Sequence, residues 1–323
     1  MRVSFKVKFV WFWLIVIFVV MDTSISYSGS TVEKLRDTRD CSGCKLKEAN
    51  LKGLYLRNAL LEEADLRQAE LDNADLRNAI LKNADLRNAS LTNANLRGAN
   101  LTDVNLEETK LENVLFDEQT VIDDKWLLVW EIANQLNENK NLAKADLEAV
   151  NLSGINLSEY NLKEANLKRA NFSNTILNKV NLEKAELGEA DFSFSVLQDV
   201  NLKSTNLKEA NFNNAELVEL NFAGTNLEKA NLRNSNLRGA NLVRVELKEA
   251  DLSYANLREA DLRNADLEGA NLTGTTLVNA DLRGANLQDA NLNDAFLRLA
   301  GFNEINLCGA TMPNGEQYLC GDN

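Results

Sequence analysis

Histidine is absent from this chain, aromatic residues make up only 7%, and basic residues are outnumbered, 35 Lys+Arg against 48 Asp+Glu. Without histidine, imidazole acid–base catalysis, Ser-His and Cys-His nucleophile pairs and histidine-ligated metal sites are excluded. The deficit of cations argues against broad electrostatic binding to nucleic acid or anionic membranes. Proline occurs once, as Pro313, where Pro313-Asn314-Gly315 supplies a turn. Acidity does not mean disorder, because 45% of the residues are hydrophobic, enough for a large core. At 323 residues the length alone suggests two domains, but the excess of Leu, Ala and Asn points to a repeat instead.

The first residues read as an export signal. Arg2, Lys6 and Lys8 precede an unbroken apolar run from Phe9 to Met21, and small residues at Ser24, Ser26 and Ser28 offer cleavage sites. The run is short for a bilayer core, which needs roughly 20 residues. A signal peptide over 1–28 is expected, with a retained N-terminal anchor as the alternative.

From Leu46 to Leu111 every fifth residue is Leu, and Phe116 continues the series. From Leu142 to Leu307 every fifth residue is Leu or Phe, the aromatics being Phe172, Phe192, Phe212, Phe222 and Phe302. Two residues earlier sits a mostly small residue, so the unit is A-(D/N)-L-x-x, as in Ala74-Asp75-Leu76-Arg77-Asn78 and Ala285-Asn286-Leu287-Gln288-Asp289. Period five spirals around an α-helix and alternates faces on a flat strand. A chain that turns about 90° per unit keeps every Leu inside, and four sides close a square coil of 20 residues. Stacked coils then satisfy one another's backbone groups at about 4.8 Å.

These residues resemble the pentapeptide-repeat family, over 49 units and 245 of 323 residues. The resemblance implies an all-β solenoid, a right-handed quadrilateral β-helix of about 12 coils, interrupted here by one short α-helix. Leu54, Tyr160 and Leu220 stand in the small-residue column and are too large for a tight interior unless a coil widens or the side chain swings out.

The interruption shifts the phase of the repeat by one residue. Asp123 and Asp124 can cap a helix, and Trp126, Val129, Trp130, Ala133 and Leu136 follow at i, i+3, i+4 spacing, predicting a helix over about 123–139. Its two indoles serve either as a plug over exposed apolar edge or as a docking helix built on Trp126 and Trp130. The expected organisation is a signal at 1–28, an N-terminal cap with Cys-x-x-Cys at 29–45, a first repeat block at 46–118, a helical insert at 119–141, a second block at 142–307 and a C-terminal cap at 308–323.

Cys41, Cys44, Cys308 and Cys320 bracket the repeats. An even count on an exported chain favours disulfides, and a long collinear rod favours local pairing, Cys41–Cys44 and Cys308–Cys320. The distance argument weakens if one block folds back beside the other. A redox pair or a Cys₄ zinc site is the alternative, with less support from context. On the outer walls Arg57, Arg77 and Arg97 share one column and Arg67 and Arg87 another, with Asp65, Asp75 and Asp85 placed two residues ahead to screen them.

The reading that follows is a non-catalytic exported scaffold presenting a flat-sided surface to an unidentified protein partner, and the family resemblance implies the periplasm or thylakoid lumen as its compartment. No cofactor or metal is expected, no nucleic acid, and no membrane unless the N-terminal segment is retained; homo-oligomers through a coil end remain open. The alternative that the family resemblance implies, and that the net charge fits, is an acidic, DNA-mimicking modulator of a type II topoisomerase.

Overall fold

The structure, a computed structural model, describes residues 23–320. The expected export leader falls mainly on residues 1–22, outside the described residues. Two compact units make up the chain, residues 1–126 and 127–323. Both are right-handed four-sided β-helices.

One repeat shows why five residues suffice for a side. In Ala74-Asp75-Leu76-Arg77-Asn78, Asp75 N–H donates to Leu54 O of the preceding coil (2.9 Å), while Leu76 and Asn78 donate to Asn95 O and Arg97 O of the next (2.8 and 3.0 Å). Ala74 N–H closes a turn onto Leu71 O (3.0 Å). The remaining amide, Arg77 N–H, donates to its own repeat's Asp75 Oδ1 (3.5 Å). All five donors are thereby used, and the last of them explains why Asp or Asn precedes Leu: its side-chain oxygen serves the one amide that no coil reaches. Ala74 and Leu76 are buried.

The corner sets a second rule. Asn78 has φ 56°, and the residue two after each core Leu or Phe has positive φ almost throughout both units. Positive φ at the third residue of a four-residue turn, closed by the Ala74-type bond, defines type II. Asn and Gly fill many of these corners, and Val, Ile and Thr are absent from the described ones, because a β-branched side chain is strained in the left-handed region.

In unit 1, helix α1 (Thr23–Thr38) precedes the first coil. Leu35 is fully buried, and Arg39 N–H donates to Leu35 O at 2.9 Å. The parallel ladder steps from Asp40 through Leu60, Ile80 and Asn100 to Val121. Its last step spans 21 residues rather than 20, and this added residue begins the phase shift. Asp117 fills the disturbed corner, its Oδ1 accepting from Gly98 N–H (2.9 Å) and Gln119 N–H (3.1 Å). Phe116, expected in the core, is half-exposed, so the buried series of this unit ends at Leu111.

Helix α2 spans Asp124–Ala133, shorter than the expected 123–139. Its end is a Schellman motif: Leu136 N–H donates to Glu131 O (2.8 Å), Gln135 N–H to Ile132 O (3.0 Å), and Gln135 adopts φ 55°. Asn134 to Leu136 therefore turn away instead of continuing the helix.

In unit 2 the ladder takes eight steps from Asn151 to Thr311. Phe172, Phe192 and Phe212, 20 residues apart, form a parallel stack with centroids 5.0 and 4.8 Å apart, and Phe222 meets Phe212 edge-on at 6.2 Å. Where Thr or Ser replaces the small Ala, the buried hydroxyl donates to a carbonyl, as Thr175 to Leu152 O (2.9 Å) and Ser235 to Leu232 O (2.6 Å). On the outside, asparagine amides run up the wall: Asn161 to Asn141, Asn181 to Asn161 and Asn201 to Asn181, at 2.9, 3.2 and 2.9 Å. The last coil is less well covered, with Leu297, Phe302 and Leu307 only half-buried.

Candidate interaction surface

The small-residue column controls how tightly each corner closes. Where Ala occupies it, the turn bond is 2.8–3.2 Å; it stretches to 3.3 Å at Leu54 and Leu220, 3.4 Å at Val180 and 3.5 Å at Val114. At Val150, Ile155 and Val200 no such bond forms among the described residues. Larger side chains thus open the turn at these corners, whereas Tyr160 (3.1 Å), Val104 and Val245 (both 3.2 Å) keep it closed.

Of the three oversized residues, two sit in the first coil of their unit, where no coil precedes. Leu54 is half-exposed there. Tyr160 is buried and sends its hydroxyl to Asn137 O (3.3 Å); burial pushes its phenol up from its ordinary range. Leu220 is different, because it lies in mid-unit, is 3% exposed, and stacks in register with Val200 and Val180, 20 and 40 residues earlier. Three large residues in one column have a visible consequence. Asn201 and Asn221 do not pair, and the bonds expected from Asp199, Leu202, Ser204, Asn221 and Asn226 to the adjoining coil are missing among the described residues. Pairing is intact on either side, at Leu197 N–H to Glu216 O (3.0 Å) and Leu207 N–H to Asn226 O (2.9 Å).

A groove of about 720 Å³ opens at this interrupted rung. Val196, Val200, Val218 and Leu220 give it an apolar floor, and Asp199, Glu216 and Glu219 an acidic rim. Exposed Ile176 continues the apolar surface beside Val196, with which it is paired in the ladder. Unpaired main-chain amides beside apolar side chains are what an extended partner segment can use.

The residues singled out by sequence lie elsewhere. In α2, Trp126 is buried at 7% exposure with Lys125 Nζ 5.1 Å from its ring centre, and Trp130 is half-buried. The burial of Trp126 is in keeping with the plug alternative; Leu127 and Leu136 are the exposed apolar side chains there. Cys41 lies next to Cys44 with Cα atoms 5.0 Å apart, and Cys308 next to Cys320 at 4.7 Å, both at disulfide distance. The second pair ties down a tail that folds back antiparallel, Thr311 pairing with Gln317.

Arginine and aspartate pair as forks within a repeat. Arg67 grips Asp65 through Nε and Nη2 (2.7 and 2.8 Å), and Arg77–Asp75, Arg87–Asp85 and Arg263–Asp261 repeat the geometry. Hydrogen bonds from the guanidinium hold the carboxyls of Asp65, Asp85, Asp261 and Asp281 below the usual range. The arginines of these forks are thus neutralised locally, whereas Arg97, with Asn95 two residues ahead, has no carboxylate fork. Among the described residues no cluster of three or more His, Cys, Asp or Glu could hold a metal, and no helix is long and apolar enough to cross a membrane.

Similarity to known proteins follows the same pattern. HetL, a pentapeptide repeat protein involved in heterocyst differentiation regulation in the cyanobacterium Nostoc, is 25% identical over 88% of this chain and 94% of its own, with a TM-score of 0.25. A pentapeptide repeat protein from the Arabidopsis thaliana thylakoid lumen is 32% identical over 29% of this chain and 68% of its own, TM-score 0.25. QnrB1, a plasmid-mediated fluoroquinolone resistance protein, is 18% identical over 52% of this chain and 92% of its own, TM-score 0.26. No sequence among the curated proteins matches. The Pentapeptide repeats family matches in eight copies, at residues 40–78, 79–117, 141–178, 175–214, 195–234, 215–253, 230–269 and 265–303, and the chain belongs to that family.

Proposed function

We propose that this protein is a non-catalytic, exported repeat scaffold whose unit 2 holds a protein partner at the interrupted rung. The observation that carries the proposal is the combination at residues 196–221: a run of missing coil-to-coil bonds, an apolar floor and an acidic rim in one groove. In the coils on either side, among the described residues, the ladder pairs its own backbone, as at Leu197 N–H to Glu216 O and Leu207 N–H to Asn226 O. The acidic rim favours a partner segment that alternates apolar and basic residues. A photo-crosslinking residue at Val218, introduced in cells, is expected to give a discrete protein adduct that the same residue at Arg283 does not give. Equal labelling at both sites, or none at Val218, would overturn the assignment.

Export is supported by the basic and apolar leader and by the two cysteine pairs at disulfide distance. The thylakoid-lumen origin of one relative is in keeping with it. Intact mass and N-terminal sequence of native protein from fractionated cells decide the point: a start near Tyr27 or Gly29 supports export, and a cytosolic start at Met1 with free thiols refutes it. The topoisomerase reading rests on net charge, and the Arg–Asp forks break the acidic stripe it needs. Self-association is proposed at the last coil, where Phe296 and Leu299 are exposed beside half-buried Leu297 and Phe302. Light scattering of wild type against Leu299→Glu checks it.

A further inference from the structure

The four walls of unit 2 do not carry the same chemistry. One wall runs through Asn151, Asn171, Asp191, Asn211 and onward up the ladder. Of the 24 outward positions from Asn151 to Asp294 on this wall, four are charged: Asp191, Arg233, Asp251 and Asp294. The preceding wall, from Asp146 to Asp289, carries sixteen charges in its 24. The depleted wall is made mostly of Asn, Ser and Thr, with asparagine amides laddered along it, as Asn211 to Asp191 (2.8 Å), Asn231 to Asn211 (2.9 Å) and Asn271 to Asp251 (3.0 Å). In a chain of net charge −13, a wall this poor in charge offers a ligand hydrogen-bonding groups and little electrostatic attraction.

The corners of the same wall hold a second, independent signal. Phe194 and Tyr254 have φ 58° and 61°, and among the described residues they are the only aromatics with positive φ. The fold imposes the left-handed conformation at nearly every corner, so what distinguishes these two is that a bulky aromatic side chain occupies it. Both rings are more than half exposed, at 56% and 55%. The two lie three coils apart on one edge, about 14 Å at the strand spacing. Tyr254 is also held in place. Its ring lies so close over Gly274 that a Cβ there would come within 2.7 Å of Cδ1, and the Arg233 guanidinium sits 5.1 Å from its centre.

We infer that this wall binds an uncharged linear polysaccharide. The exposed Phe194 ring and the side of Tyr254 away from Arg233 offer apolar surface to the C–H faces of sugar rings, and the amides and hydroxyls between them match a polymer whose polar groups are all hydroxyl or amide. The coil repeat along the wall sets these groups at even intervals, as an extended glycan sets its sugars. This surface is separate from the groove described above, so the two readings stand or fall apart.

Affinity electrophoresis of the full chain in native gels tests it, with hydroxyethylcellulose and glucomannan as the neutral polymers and alginate as a charged one. Wild type is expected to be retarded by a neutral polymer, with little effect of added salt. The Phe194→Ala, Tyr254→Ala double variant should lose about tenfold in affinity, the sum of two aromatic contacts. Its fold should hold, since Ala149 already occupies such a corner at φ 54°; an unchanged thermal melt verifies this. Tyr254→Phe should retain binding, and Tyr55→Ala, an exposed ring on unit 1, should leave it unchanged. No retardation of wild type by either neutral polymer overturns the proposal. So does retardation only by alginate, or full retardation of the double variant.

Discussion

Replacing Leu220 by Ala reverses the usual sign of a core truncation. A buried Leu→Ala change in an intact coil costs about 2–5 kcal/mol, through lost transfer energy and the cavity left behind. At Leu220 the smaller side chain removes one of the three oversized residues that hold the corner open. Five coil-to-coil bonds are missing around it, at Asp199, Leu202, Ser204, Asn221 and Asn226. Re-forming them at about 1 kcal/mol each returns about 5 kcal/mol. Even three rungs offset most of the truncation, because a coil that closes also collapses the cavity. The expected outcome is a stability between unchanged and about 3 kcal/mol higher than wild type.

Hydrogen exchange read by mass spectrometry gives the local test. In wild type, amides across residues 197–226 should exchange faster than those at the equivalent register one coil further on. In Leu220→Ala they should slow, while the rest of unit 2 stays as it was. Leu232→Ala, in an intact coil where Leu232 is fully buried, is the control: it should lose the full 2–5 kcal/mol with no gain in protection. If Leu220→Ala is destabilised as much as Leu232→Ala, and amides 197–226 exchange as in wild type, the link between column size and the open rung is wrong.

Phe192→Ala removes the middle ring of the stack and should cost about 3–5 kcal/mol, against under about 2 for Phe192→Leu, measured by urea denaturation. The Arg–Asp forks add stability that is fully present above the ordinary aspartate range and lost as pH falls through the depressed values of Asp65, Asp85, Asp261 and Asp281. Arg67→Gln with Arg87→Gln should therefore move the acid-unfolding midpoint to higher pH, most clearly at low salt. Gln135→Gly relieves the left-handed residue that closes α2 and should raise stability by about 1 kcal/mol in a thermal melt. Cys308→Ser should leave the coils intact and free only the tail, seen as proteolytic trimming beyond residue 308.

Much of this fold is legible by eye because the pattern states the backbone directly. The fivefold spacing of Leu and Phe places the core, and the small residue two positions earlier places the corner. What local reading misses is set by neighbours 20 residues away. Leu220 alone reads as a bulge; only with Val200 and Val180 in the same column does it become an opened rung. Phe116 keeps the period, yet the added residue before Val121 leaves it half-exposed. Helix α2 stops early because Gln135 takes a conformation usually given to Gly or Asn, so no composition signal marks the stop. The tryptophans drew attention as interface residues by type, whereas the fold buries Trp126.

The unit in which this chain is read therefore matters more than the residue types read. Along the sequence, charged and uncharged repeats alternate and the outer surface looks uniformly mixed. Sorted by column, the same residues separate into a wall dense in ion pairs and a neighbouring wall of amides and hydroxyls, with Phe194 and Tyr254 on the edge of the second. The parallel ladder imposes that sorting, since each coil sets residue i directly beneath residue i+20. A ligand that lies along a wall samples the column and not the sequence. Substitutions at one column should thus act together, and a charge placed at exposed Asn234, one coil before Tyr254, should weaken glycan binding although reversing the charge of Glu249 on the adjoining wall does not. Parallel retardation assays on Asn234→Lys and Glu249→Lys decide it, since lysine already occupies such corners at Lys179 and Lys184: equal loss in both would mean that net charge, and not the wall, governs the contact.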